Sequence, residues 1–239
     1  MLRRRDSGES DRRLTLLTLE HGKIDVVAKG ARKGGSRLAG SSEPLGANIL
    51  HLTRTRKNYF ITQVQPQSSF RGLRSDFGRL TLALALVELY DAVLPLEEPL
   101  PEAYALLVKS LVALEHHPVP VVAGVWAQLA LMQHAGFLPS FLACAPSGRS
   151  LAESRVFLSP HAGGYVSSSH AGAYTDRYES TPEVLIGLAR TAELDDPPQV
   201  LRFAAECYLA LQPFWREIAG RALPAAQAAA NEVRTTLSV

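Results

Sequence analysis

The chain has 239 residues, of which 46% are apolar and 20% charged, a make-up that fits a globular protein and excludes a disordered or fibrous one. Its net charge of +2 conceals a division: residues 1–80 hold sixteen Lys and Arg against seven Asp and Glu, and residues 81–239 hold nine against sixteen. The basic part calls for a polyanion as partner, and two cysteines, Cys144 and Cys207, exclude a disulfide framework. The opening MLRRRDSGESDRR enters no apolar run, so no secretory leader is expected. The apolar runs near 80–94 and 119–132 are too short, or interrupted by Glu88 and Asp91, to span a bilayer, and a reduced cytoplasmic protein is expected.

The first eighty residues read as strands. Leu14–Leu19 and Ile24–Ala28 flank Glu20-His21-Gly22-Lys23, a turn with glycine where a positive φ is easy, and predict a hairpin. Ile49–Thr55 alternates apolar and polar residues, and Tyr59–Val64 is rich in aromatic and β-branched ones. Short strands around a long basic connection predict a small barrel, with the oligonucleotide-binding type leading. From about residue 79 the pattern turns helical. A buried helix follows Arg79, a second covers Ala103–His116, and a third covers Val121–His134 with Gly136 at its end. Residues 141–178 are loop-rich. Helices resume near Glu183, pause at Asp195-Asp196-Pro197-Pro198, run from Val200 to Ala219, and restart at Pro224.

The stretch KGARKGGSRLAG, residues 29–40, has the glycine spacing of a phosphate loop in Gly30 and Gly35, but Ser36 stands where that loop needs Lys-Ser or Lys-Thr. A nucleic-acid backbone is the better match. Lys29, Arg32, Lys33 and Arg37 on a connection between strands can each reach a different phosphate. Arg54, Arg56 and Lys57 form a second cluster beside Tyr59 and Phe60. Cations beside aromatics grip a single strand, charge on phosphate and ring under base. One of Tyr59 and Phe60, on alternate faces, is expected to pack the core; Tyr59 is taken here as a contact residue. No GxSxG, HExxH or carboxylate pair suggests catalysis, so a non-enzymatic protein is expected.

The residues GESDRRLTLLTLEHGKIDVVAKGARKGGSRLAG closely resemble the N-terminal signature of the bacterial DNA-repair family RecO, through Glu9-Ser10-Asp11, Glu20-His21-Gly22-Lys23, Ala28-Lys29-Gly30 and Ser36-Arg37-Leu38. The likeness is looser beyond, at Val87-Glu88-Leu89 and Gly136-Phe137-Leu138-Pro139. It implies an α+β multidomain protein: an oligonucleotide-binding barrel over 1–78, an α-helical domain over 79–140 and 179–239, and a small zinc-ribbon-like lobe over 141–178. It implies a nucleoid-associated recombination mediator that binds single- and double-stranded DNA and anneals complementary strands. With RecR such a protein assists RecA loading on DNA covered by single-strand-binding protein. A scaffold acting mainly through the helical part is the other reading. Lys109, the one Lys or Arg between residues 80 and 148, is its candidate contact for the acidic tail of single-strand-binding protein. At the four thiolate positions of the family's ribbon stand Cys144, Ser147, Ser167 and His170. Serine hydroxyls do not replace thiolates in a structural zinc site, so no metal is expected, with a weaker site at Cys144 and His170, near His161, as the alternative.

Overall fold

The computed structural model describes residues 1–56 and 58–237 and divides into two compact units, Met1–Glu115 and His116–Val239. The protein is a mixed α+β one, with an N-terminal sheet and a helical C-terminal region. The helical part expected from residue 79 is thereby shared, since its first two helices belong to the first unit.

The first unit is built on a five-stranded sheet of β1 (Arg3–Ser7), β2 (Asp11–Thr18), β3 (Gly22–Ala28), β4 (Ala47–Arg54) and β5 (Tyr59–Ser68). Its order is β1-β2-β3-β5-β4, antiparallel except for the parallel contact of β3 with β5. Period-two alternation sends Leu14, Leu16, Ile24, Val26 and Ala28 inward to a core that Tyr59 and Ile61 complete. The hairpin of β2 and β3 turns at Gly22, whose φ of +64° suits glycine. A Cβ there would run into the carbonyl of Glu98. Among the described residues no ladder joins β1 to β4. The two edges meet through Met1, which accepts the Leu45 N–H at 3.1 Å and donates to the Gly46 carbonyl at 3.0 Å.

Helices α1 (Leu38–Ser41) and α2 (Arg71–Ser75) are single turns. The buried helix is α3 (Phe77–Val93), capped where the Asp76 carboxylate accepts the Arg79 N–H at 2.8 Å, and α4 (Pro101–His116) follows. In the second unit α5 (Pro120–His134) is buried nearly all round, with Trp126, Leu129 and Leu131 at its centre. It packs on α6 (Pro182–Ala192) and α7 (Ala204–Ala210), with α8 (Gln212–Ala219) and α9 (Pro224–Leu237) completing the unit. The continuous helix expected from Val200 to Ala219 is therefore two helices. Phe203 adopts a φ of +56° before α7, and the chain breaks again at Leu211 and Gln212. Within the region read as loop lie three short strands, β6 (Val156–Ser159), β7 (Gly164–Ser167) and β8 (Tyr178–Ser180), in the order β7-β6-β8.

Candidate nucleic-acid interface

The connection from β3 to β4 carries the first cationic cluster, and β2 pins its base. The Asp11 carboxylate accepts the Gly30 N–H at 2.8 Å, while the Ser10 carbonyl accepts the Arg32 N–H at 2.9 Å. The Gly30 hydrogen bond, with help from the Ser10 hydroxyl and the charges of Lys29 and Lys33, holds the Asp11 carboxyl below its ordinary range. The loop is thus fixed at its root, with its cations outward.

Those cations are not equivalent. Lys29, Lys33 and Arg37 are exposed. Arg32 is exposed too, but its guanidinium donates to the Gly8 carbonyl at 3.0 Å and sits 3.4 Å from Asp6. It is a loop anchor as much as a phosphate donor. Arg12, half-buried among Asp6, Ser42 and Glu43, and Arg4, paired with Glu43, serve the sheet in the same way.

At the far end of β4 and the start of β5, Arg54 and Arg56 are exposed; Arg54 lies 3.8 Å from Glu97 and its guanidinium carbon 5.2 Å from the Tyr59 ring. Lys57 lies outside the described residues. Tyr59 leans on the core, with His21 tilted over it at 6.1 Å. Phe60 is the ring on the basic side, with the Lys29 ammonium 4.7 Å from its centroid. Sequence alternation placed the two rings on opposite faces; the parallel pairing of Val27 with Phe60 decides which ring meets the loop.

Arg74, not singled out in the sequence, joins Arg37, Asn48 and Ser68 around a cleft of about 320 Å³. Its side chain donates to the carbonyls of Ser69 and Pro44, so the cleft wall is braced. Lys109 is exposed on α4, in the first unit.

The ribbon positions do come together in the second unit. Sγ of Cys144 accepts the Ser167 N–H at 3.4 Å and lies 3.5 Å from Ser167 Oγ, which is 2.9 Å from Nδ1 of His170. Burial pushes the Cys144 thiol up, but hydrogen bonds from the side chains and backbones of Ser147 and Ser167 outweigh it and hold it below its ordinary value. A metal does not fit these residues. Zinc takes thiolate, imidazole or carboxylate ligands, and with protonated serine hydroxyls at two of the four positions only Cys144 and His170 could serve. Among the described residues no three His, Cys, Asp or Glu gather as a ligand set.

The chain is thus a mixed α+β protein that presents exposed cations on one anchored loop and at one strand end. Residues 1–70 match the family model of the recombination protein O N-terminal region, and residues 74–207 that of its C-terminal region. The DNA repair protein RecO of Desulfitobacterium hafniense is 37% identical over 167 residues, 70% of this chain and 60% of that protein. The RecO protein of Myxococcus xanthus is 35% identical over 66% of this chain and 65% of its own length. That of Heliobacterium modesticaldum is 32% identical over 199 residues, 82% of this chain and 72% of its own. The chain belongs to the RecO family of DNA repair and recombination proteins. It spans about 60% of the Desulfitobacterium relative. No described helix is long and apolar enough to cross a membrane.

Proposed function

We propose that the chain is a non-enzymatic mediator of DNA repair and recombination, binding single- and double-stranded DNA by its backbone. It anneals complementary strands and, with RecR, assists RecA loading on DNA covered by single-strand-binding protein. The observation that carries this is the anchored loop: Lys29, Lys33 and Arg37 are exposed, with Lys29 over the Phe60 ring, on a base fixed by Asp11 and Ser10. Screening the charge of two strands at one surface brings them together without nucleotide hydrolysis. The five-stranded sheet, open between β1 and β4, supports an oligonucleotide-binding barrel of the partly open kind. Residues 141–178 act as a ribbon lobe shaped by hydrogen bonds in place of metal. Arg54, Arg56, Lys57 and Tyr59 extend the DNA track, Arg32 shapes it, and Lys109 offers a charge to an acidic partner tail. The setting is the cytoplasm, at the nucleoid.

The test is annealing of two complementary labelled strands by wild type and by the Lys29→Glu, Lys33→Glu, Arg37→Glu variant, with Arg32 left in place because it holds the loop. The variant is expected to keep its circular dichroism and lose at least about tenfold in both annealing rate and DNA affinity. Unchanged annealing by a folded variant would overturn the assignment of this loop.

A further inference from the structure

Residues 81–239 hold only nine Lys and Arg, yet two of them flank one aromatic ring. Phe157 is half-buried on β6, the central strand of the second unit's small sheet. The guanidinium carbon of Arg155 is 5.3 Å from its ring centroid and that of Arg177 is 6.0 Å. The register explains the gathering. Phe157 pairs with Glu179 of β8, so Arg155, two residues before Phe157 and just ahead of β6, and Arg177, two before Glu179 and just ahead of β8, approach the ring from the two chains of one antiparallel pair.

Both arginines are exposed. Arg155 donates to the two carboxylate oxygens of Glu179 at 3.0 and 3.4 Å, and Arg177 donates to the Tyr174 carbonyl at 2.8 Å. One arginine stem is enough to shield a half-buried ring. A second guanidinium at the outer limit of cation–π reach adds little shielding and sets two like charges around one ring. For a nucleic acid the same arrangement is productive. A base stacks on the ring or on a guanidinium plane, and a phosphate takes the charge.

We propose that Phe157, Arg155 and Arg177 form a second contact, selective for single-stranded nucleic acid because a duplex keeps its bases stacked inside. Glu179 opposes it, holding Arg155 and repelling phosphate. This contact rests on the reading that the chain binds DNA, but it uses none of the basic loop's residues.

The experiment titrates the full chain against a labelled oligothymidylate and a labelled blunt duplex. Three variants join wild type: Phe157→Leu, which keeps the apolar bulk, Arg177→Ala, which leaves the ring covered by Arg155, and Glu179→Gln. Phe157→Leu is expected to weaken single-strand binding about tenfold and leave the duplex within about twofold, in line with the worth of one stacked base. Arg177→Ala should weaken the single strand by about threefold, and Glu179→Gln should tighten it by about two- to threefold. The exposed Glu193→Gln serves as the charge control and should do neither. If Phe157→Leu and Arg177→Ala bind the single strand as wild type does, or lose single strand and duplex alike, this contact is wrong while the basic loop stands. If wild type binds neither probe, the DNA reading itself falls and takes this contact with it.

Discussion

Asp11 shows how much one carboxylate organises. It joins the start of β2 to the first turn of the basic loop through the Gly30 N–H, and the same bond holds its carboxyl below the ordinary value of 3.8. A carboxyl whose folded value is depressed adds stability above its unfolded value and loses that contribution as pH falls through the folded one. Exchange protection of the Gly30 amide, followed by NMR, should therefore persist at neutral pH and disappear on acidification below 3.8. In Asp11→Asn the amide oxygen still accepts but no longer titrates, so protection should become flat with pH. A pH-dependent Gly30 in that variant would mean that another group controls the loop. The sequence named the loop's cations but ranked them equally. Which one is tied down depends on Asp6 and Gly8, more than twenty residues from Arg32, and composition does not reach that far.

Elements with a strong local pattern were legible. The β2–β3 hairpin, the buried helix α3, and α5 with Gly136 in the left-handed region all lie where periodicity and turn chemistry put them. Strand β1 was not, because Arg3-Arg4-Arg5-Asp6-Ser7 has no apolar alternation and is a strand only through its partner β2. The same holds for β6 to β8, too short to show a period between glycines and serines. The hairpin gives a sharp test: Gly22→Ala combines a left-handed φ with a collision against the Glu98 carbonyl, and should cost about 2 kcal/mol or more in chemical denaturation. A cost below about 0.5 kcal/mol would show that the turn relaxes. The ribbon cluster gives another. If hydrogen bonds hold it, a chelator should leave Tm within about 1 °C, while Ser167→Ala, which strips contacts from Cys144, Ser169 and His170, should cost about 1–2 kcal/mol. A fall in Tm on chelation would mean that a metal, rather than hydrogen bonds, holds the cluster.

At the scale of the whole molecule the division of charge matters more than its sum. A net charge of +2 would give weak, salt-insensitive attraction to DNA if it were spread evenly. On the function proposed above, the exposed cations Lys29, Lys33, Arg37, Arg54 and Arg56, together with Lys57, instead act as discrete phosphate contacts, each releasing a counterion from the strand it meets. On single-stranded DNA each contact contributes about −0.7 to the slope of log affinity against log salt, so six engaged together give about −4.2. Replacing Lys29, Lys33 and Arg37 with alanine should bring the slope to about −2.1, with the loss of affinity greatest at low salt and shrinking as salt rises. Alanine is the right substituent here, because glutamate would add repulsion and steepen the contrast without counting contacts. A variant that binds more weakly at every salt concentration by the same factor would have lost shape rather than phosphate contacts. The loop would then be acting through the sheet it anchors to, and the phosphate track would have to run through Arg54, Arg56 and Lys57.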